Sequence, residues 1–188
     1  MNHIAWKREI SRFLGYGIVQ QDEAIACASD RATLWYSGSL SDEQSVAFDV
    51  PIPTSFTGNT DLREVKATLA WFSPVKPGQL VYRSTKLLIA SLQQDSLTAA
   101  GLATDVPQPD ASQAQSGTVI HRRWVAEKAA TSNGSFQIQI QREKDQGPKI
   151  GGSVPYGLII SLVMPSKSTI YDEVKSKIQV TPISKVQV

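Results

Sequence analysis

The chain has 188 residues, 41% hydrophobic and 19% charged, with 19 basic against 17 acidic residues for a net charge of +2. A domain of ordinary composition and this size buries roughly 70% of the surface its unfolded chain exposes, so it needs neither disulfide nor metal to fold. The charges are scattered without long runs of one sign, which excludes nucleic acid and an anionic membrane as expected partners, and the longest apolar run, residues 156–164, is far short of the ~20 that span a bilayer.

The opening MNHIAWKREI lacks the apolar core of about 7 to 15 residues that an export signal requires. Together with the single Cys27, read as a small buried side chain, this favours a reducing, cytoplasmic setting. Over residues 4–14, Ile4, Ile10, Phe13 and Leu14 recur at helical spacing between Lys7, Arg8, Glu9 and Arg12, which predicts a short amphipathic helix stopped by Gly15 and Gly17. Residues 21–28 read as a second helix, with Asp22 and Glu23 where the positive end of a helix dipole favours acids.

From residue 31 the texture is β. Residues 31–38, 44–53, 63–74, 84–92, 117–127, 134–143 and 154–165 are short runs of β-branched and aromatic residues separated by turn residues. The clearest is FQIQIQ, where Phe136, Ile138 and Ile140 alternate with Gln137, Gln139 and Gln141, the period of a strand with one wet face. Strands at this spacing without intervening helices predict a mainly β fold, an antiparallel sandwich or jelly roll, with short N-terminal helices. Residues 93–116, rich in Ala, Gln, Asp and Pro, read as a long polar loop. Ile170, Val174 and Ile178 predict one more short helix near the C-terminus. The expected division is a helical segment over 1–30 and a sandwich over 31–188.

Catalysis needs a nucleophile, a base and a group that orients the base. Of the two histidines, His3 stands in the first few residues and His121 stands in the strand-like GTVIHRRWV, without a Gly-x-Ser-x-Gly elbow anywhere. One cysteine and two distant histidines do not make a zinc set, and no acidic calcium loop is present, which leaves open only a calcium ion held by backbone carbonyls. No other cofactor is expected. The Gly15-Tyr16-Gly17 turn before a helix has the general look of a phosphate loop, but no strand precedes it and no Gly-Lys-Ser/Thr follows. An aromatic platform built from Trp71, Phe72, Tyr82 and Trp124, with His121 and Arg123 beside it, is the candidate binding surface; it would suit a stand-alone carbohydrate- or protein-binding module.

GYGIVQQDEAIACA, a Gly-x-Gly turn leading into a short acidic, alanine-containing segment, resembles the close of the catalytic domain in subtilisin-like serine peptidases. ATLAWFSPVKPGQLVYRSTKLLIASL, then GTVIHRRW, NGSFQIQIQ and VPYGLIISL, are similar in order to the β-sandwich that many large bacterial subtilases carry after the protease domain. Val19 is followed by Gln20 and Gln21 before Asp22, where the family keeps Val and Asp together. The family's Asp-Ser/Thr-Gly, His-Gly-Thr and Gly-Thr-Ser-Met-Ala motifs do not occur, so no catalytic residue carries over. The resemblance therefore implies a non-catalytic accessory domain from the C-terminal part of a serine endopeptidase, with an N-terminal protease domain as its partner in cis and polypeptide as the parent's substrate. On that reading Phe13, Leu14, Ile18 and Ile25 pack on the sandwich or leave an apolar patch.

Overall fold

The computed structural model describes residues 27–75, 77–78, 84–90, 101–108, 117–126, 129–131, 134–144, 151–178 and 186–187. Nine strands follow one another among them: β1 (Arg31–Leu40), β2 (Gln44–Pro51), β3 (Glu64–Trp71), β4 (Thr85–Ala90), β5 (Leu102–Gln108), β6 (Val119–Ala126), β7 (Ser135–Lys144), β8 (Val154–Val163) and β9 (Val186–Gln187). A 3-10 turn (Thr54–Phe56) follows β2, and one helix, α1 (Ile170–Lys177), follows β8.

The strands form two antiparallel sheets, in the orders β1-β8-β3-β6-β5 and β4-β7-β2-β9. Pairing is nested, β1 with β8, β2 with β7 and β3 with β6, while the first four strands alternate between the sheets. A ribbon folded on itself in this way is a jelly roll. It departs from full nesting at its centre, where β5 pairs with β6 instead of returning to β4.

One hydrophobic core lies between the sheets because the period-2 alternation of each strand sends one row of side chains inward. The five-stranded sheet supplies Val65, Ala67, Leu69 and Trp71 from β3 and Tyr156, Leu158, Ile160 and Leu162 from β8. The other supplies Val46, Phe48 and Val50 from β2, Leu87 and Ile89 from β4, and Phe136, Ile138 and Ile140 from β7. Within the core Tyr36 leans on Phe48, ring centroids 4.6 Å apart, and Phe48 meets Tyr156 edge-on at 6.4 Å.

Helix α1 closes one end of the sandwich. Its Ile170 and Val174 are buried, and its Glu173 carboxylate accepts hydrogen bonds from the Ser55 N–H and hydroxyl and from the Thr169 hydroxyl. Lys177 Nζ donates to the Ile52 carbonyl at 2.7 Å, so the helix holds both the middle of the 3-10 turn and the chain that leads into it.

The seven expected strands are present, and four expectations change. Residues 102–108, inside the expected polar loop 93–116, form strand β5: Thr104, Val106 and the backbone of its neighbours complete the ladder of β6, a tertiary partner that local composition does not reveal. Ile178 does not join the buried stripe of α1, because the helix ends at Lys177 and leaves Ile178 exposed as its cap. The helix expected over 21–28 does not reach Ala28, which exchanges backbone hydrogen bonds with Arg31 in a tight antiparallel bridge. Cys27, expected to be buried, is exposed, because that bridge turns it out along the open side of β1. The helix read over 4–14 and the Gly15-Tyr16-Gly17 turn lie outside the described residues.

Candidate functional site

The side chains with chemistry gather on the outer face of the five-stranded sheet, because inward positions are taken by the core and each strand must turn its alternate residues to solvent. Register sets who meets whom. One transverse row runs Thr33, Ser161, Lys66, Arg123; the next runs Trp35, Ile159, Thr68, His121; a third runs Ser37, Gly157, Ala70, Val119. Phe72, the residue after β3, continues the outward alternation and donates its N–H to the Pro155 carbonyl.

The first row is polar and charged. Lys66 Nζ stands 2.8 Å from one oxygen of Glu64 and Arg123 Nε binds the other. Burial pushes the Glu64 carboxyl up, but hydrogen bonds from Lys66 and Arg123, and their charge, outweigh this and hold it below its ordinary value. The pairing is the cross-strand charge neutralisation usual on a wet sheet face. Two cations thus share one carboxylate.

His121 is half buried between these groups, and its Nδ1 is 2.8 Å from the Thr68 hydroxyl. Burial, then the positive charges of Lys66 and Arg123, lower its pKa from 6.5 against a smaller opposing pull from Glu64, so the ring is neutral at pH 7. A neutral imidazole held by a threonine, with its nearest carboxylate already engaged by two cations, is a satisfied strand histidine. Ser161 likewise pairs with the Thr33 hydroxyl. The described residues contain no group of three or more His, Cys, Asp or Glu side chains arranged to hold a metal ion, and none of their helices is long and apolar enough to cross a membrane.

The second and third rows are largely apolar at the β1 and β8 positions and around Ala70, with Thr68, His121 and Ser37 as their polar members. Trp35 is 77% exposed and Phe72 79% exposed, with Ile159, Gly157, Ala70 and the 47% exposed Val119 forming the surface between and beside them. At about 4.8 Å between strands and 3.3 Å per residue along them, the two rings stand roughly 16 Å apart. These side chains make the outer face of the sheet apolar between Trp35 and Phe72.

The expected aromatic platform is thereby rearranged. Trp71 and Trp124 are 4% and 3% exposed and belong to the core, because odd positions of β3 and even positions of β6 point inward. They present no face to a ligand. Phe72, His121 and Arg123 do share the outer face, and Tyr82 lies outside the described residues. Trp35 was not singled out by sequence reasoning, although the signal was there: in RATLWYSG the inward set Ala32, Leu34 and Tyr36 leaves Trp35 on the opposite side. No protein-family model matches this chain, and no curated protein matches it.

Proposed function

We propose that this chain is a non-catalytic β-sandwich accessory domain that works by contact, stabilising or shaping access to a neighbouring polypeptide, as the likeness to the C-terminal region of subtilisin-like peptidases implies. The observation that carries this reading is the apolar strip from Trp35 to Phe72 on the outer face of the five-stranded sheet. Several polar groups beside it are engaged in structural pairs: Thr68 with His121, Thr33 with Ser161, Glu64 with Lys66 and Arg123. Burial of Trp71 and Trp124 takes two of the four candidate rings out of the platform of the alternative, a stand-alone carbohydrate- or protein-binding module, and so favours the accessory-domain reading.

A serine-directed fluorophosphonate and a casein substrate test the reading directly. The chain is expected to take no label and to cleave no casein; labelling of any serine in it overturns the proposal. The reading also expects the three protease motifs in the coding sequence upstream of Met1, and a stop codon just before that position removes the link to a peptidase.

A further inference from the structure

The five-stranded sheet ends in β5 on one side and β1 on the other, and the two edges are built differently. β5 carries Pro107, which has no N–H to offer, and its ladder with β6 slips between Leu102 and Thr104; both features keep an edge from pairing with a further strand. β1 has neither. Its register with β8 is unbroken from Arg31 to Leu40, it contains no proline or lysine, and Trp35, Ser37, Gly38 and Ser39 are exposed.

One contact fixes where the outward backbone groups of β1 point. Arg31 exchanges both backbone hydrogen bonds with Ala28 at 3.0 Å, on the side away from β8. In an antiparallel ladder every second residue faces the same way, so Thr33, Trp35, Ser37 and Ser39 also turn their N–H and C=O to that side. Cys27 Sγ, 3.8 Å from the Thr33 carbonyl, stands there. Among the described residues no backbone group bonds to the outward N–H or C=O of Trp35, Ser37 or Ser39.

We propose that this edge pairs with a second copy of the chain, β1 against β1, antiparallel about Ser37, in a symmetric dimer whose two five-stranded sheets run on as one. Ser37 then faces Ser37 of the second copy and Trp35 faces its Ser39, each pair exchanging both N–H···O bonds. The strand suits itself as a partner. Trp35 meets a serine on the outer side and Tyr36 meets Gly38 on the inner side, so a large side chain stands opposite a small one on both faces. No residue from Trp35 to Ser39 is charged, so self-pairing sets no like charges opposite each other. An edge this short, with one tryptophan from each copy, buries less than about 1,200 Å², the size of transient interfaces, and a dissociation constant of roughly 1–100 μM is expected. The dimer goes beyond the accessory-domain reading and does not rest on it.

Sedimentation velocity of the full chain over a concentration series tests the pairing. The natural chain and Ser37→Ala are expected to dimerise alike. Ser37→Pro removes an N–H that faces the edge and takes no bond from the β8 ladder, and is expected to weaken the dimer at least about tenfold. Ser37→Lys and Ser37→Glu each place like charges opposite one another and are expected to stay monomeric alone, whereas a mixture of the two forms the heterodimer. Pairing restored on mixing also shows that both variants are folded. A natural chain that is monomeric up to about 1 mM overturns the proposal and leaves the edge to a strand from a different polypeptide. So does a dimer that survives Ser37→Pro and Ser37→Lys unchanged, which assigns association to another surface, or a mixture of the charged variants that stays monomeric. None of these failures alters the expected fluorophosphonate result.

Discussion

At the scale of single residues, two positions on the five-stranded sheet carry consequences out of proportion to their size. Gly38 lies opposite Tyr156 in the β1–β8 ladder, and a Cβ added there would stand 2.9 Å from the tyrosine hydroxyl oxygen and 3.1 Å from the ring carbon that bears it. The ring is 9% exposed and meets Phe48 edge-on within the core, so moving it disturbs packing on the far side. Gly38→Ala is expected to destabilise by about 1–3 kcal/mol through overpacking, read as a lower urea midpoint with an unchanged slope. His121 makes the second case. Its depressed pKa means that the unfolded chain takes up the proton first, so its contribution to stability is complete above the ordinary value of 6.5 and declines as the pH falls below it. Denaturation midpoints measured between pH 7 and pH 5 are expected to fall less steeply in His121→Gln than in the natural chain. The carboxylate of Glu64, also held below its ordinary value, acts in the same direction but at more acidic pH, where loss of its charge releases Lys66 and Arg123.

At the scale of the element, β7 shows most directly how pattern becomes packing. Phe136, Ile138 and Ile140 are at most 1% exposed, while Gln137 and Gln141 face water and Gln137 donates from its amide to Asp49 across the β2 pair. Ile138→Asp places a carboxylate in the middle of the core and is expected to abolish two-state folding or cost at least about 4 kcal/mol, whereas Gln141→Asp stays within about 1 kcal/mol. Comparable losses in the two variants would mean that the strand is inserted with the opposite face inward. The same alternation carried one step further puts Arg142 on the inward row, a position at which a guanidinium survives only if every donor is used.

At the scale of the whole molecule, Arg142 is the residue that joins parts of the chain remote in sequence. It is 4% exposed and donates to the Leu40 carbonyl at 2.9 Å, the Gly152 carbonyl at 2.6 Å and the Thr85 hydroxyl at 3.2 Å, with Asp42 at 2.6 Å completing the set. One side chain of β7 thereby ties the β1–β2 turn, the start of β4 and the approach to β8, which belong to both sheets. Arg142→Ala leaves two carbonyls and the Asp42 carboxylate without this partner and is expected to cost about 3–5 kcal/mol. Arg142→Lys is expected to recover only part of it, since a single ammonium cannot spread over acceptors placed for a planar fork; thermal melts of the two variants decide this. Arg63 plays a local version of the same role, fully buried over the Phe56 ring with its guanidinium hydrogen-bonded to the Phe56 and Asn59 carbonyls.

Local sequence was enough to settle the class of this fold, seven of its strands and the inward row of β7. Period-2 alternation and the burial of β-branched side chains are properties of a strand and its immediate neighbours, and need no knowledge of the partner strand. It was enough, too, to show that the protease motifs are missing from these residues. What it left undecided depended on which strands lie side by side. β5 was hidden because Leu102–Gln108 has no pattern of its own and is a strand only by virtue of β6. The platform residues Trp71 and Trp124 were placed with Phe72 because adjacency in sequence does not say which face is covered, whereas the stacking of two sheets does. The apolar strip itself, with Trp35 from β1 and Phe72 from the end of β3 brought to one surface by the intervening β8, exists only in the register of three strands far apart in the chain.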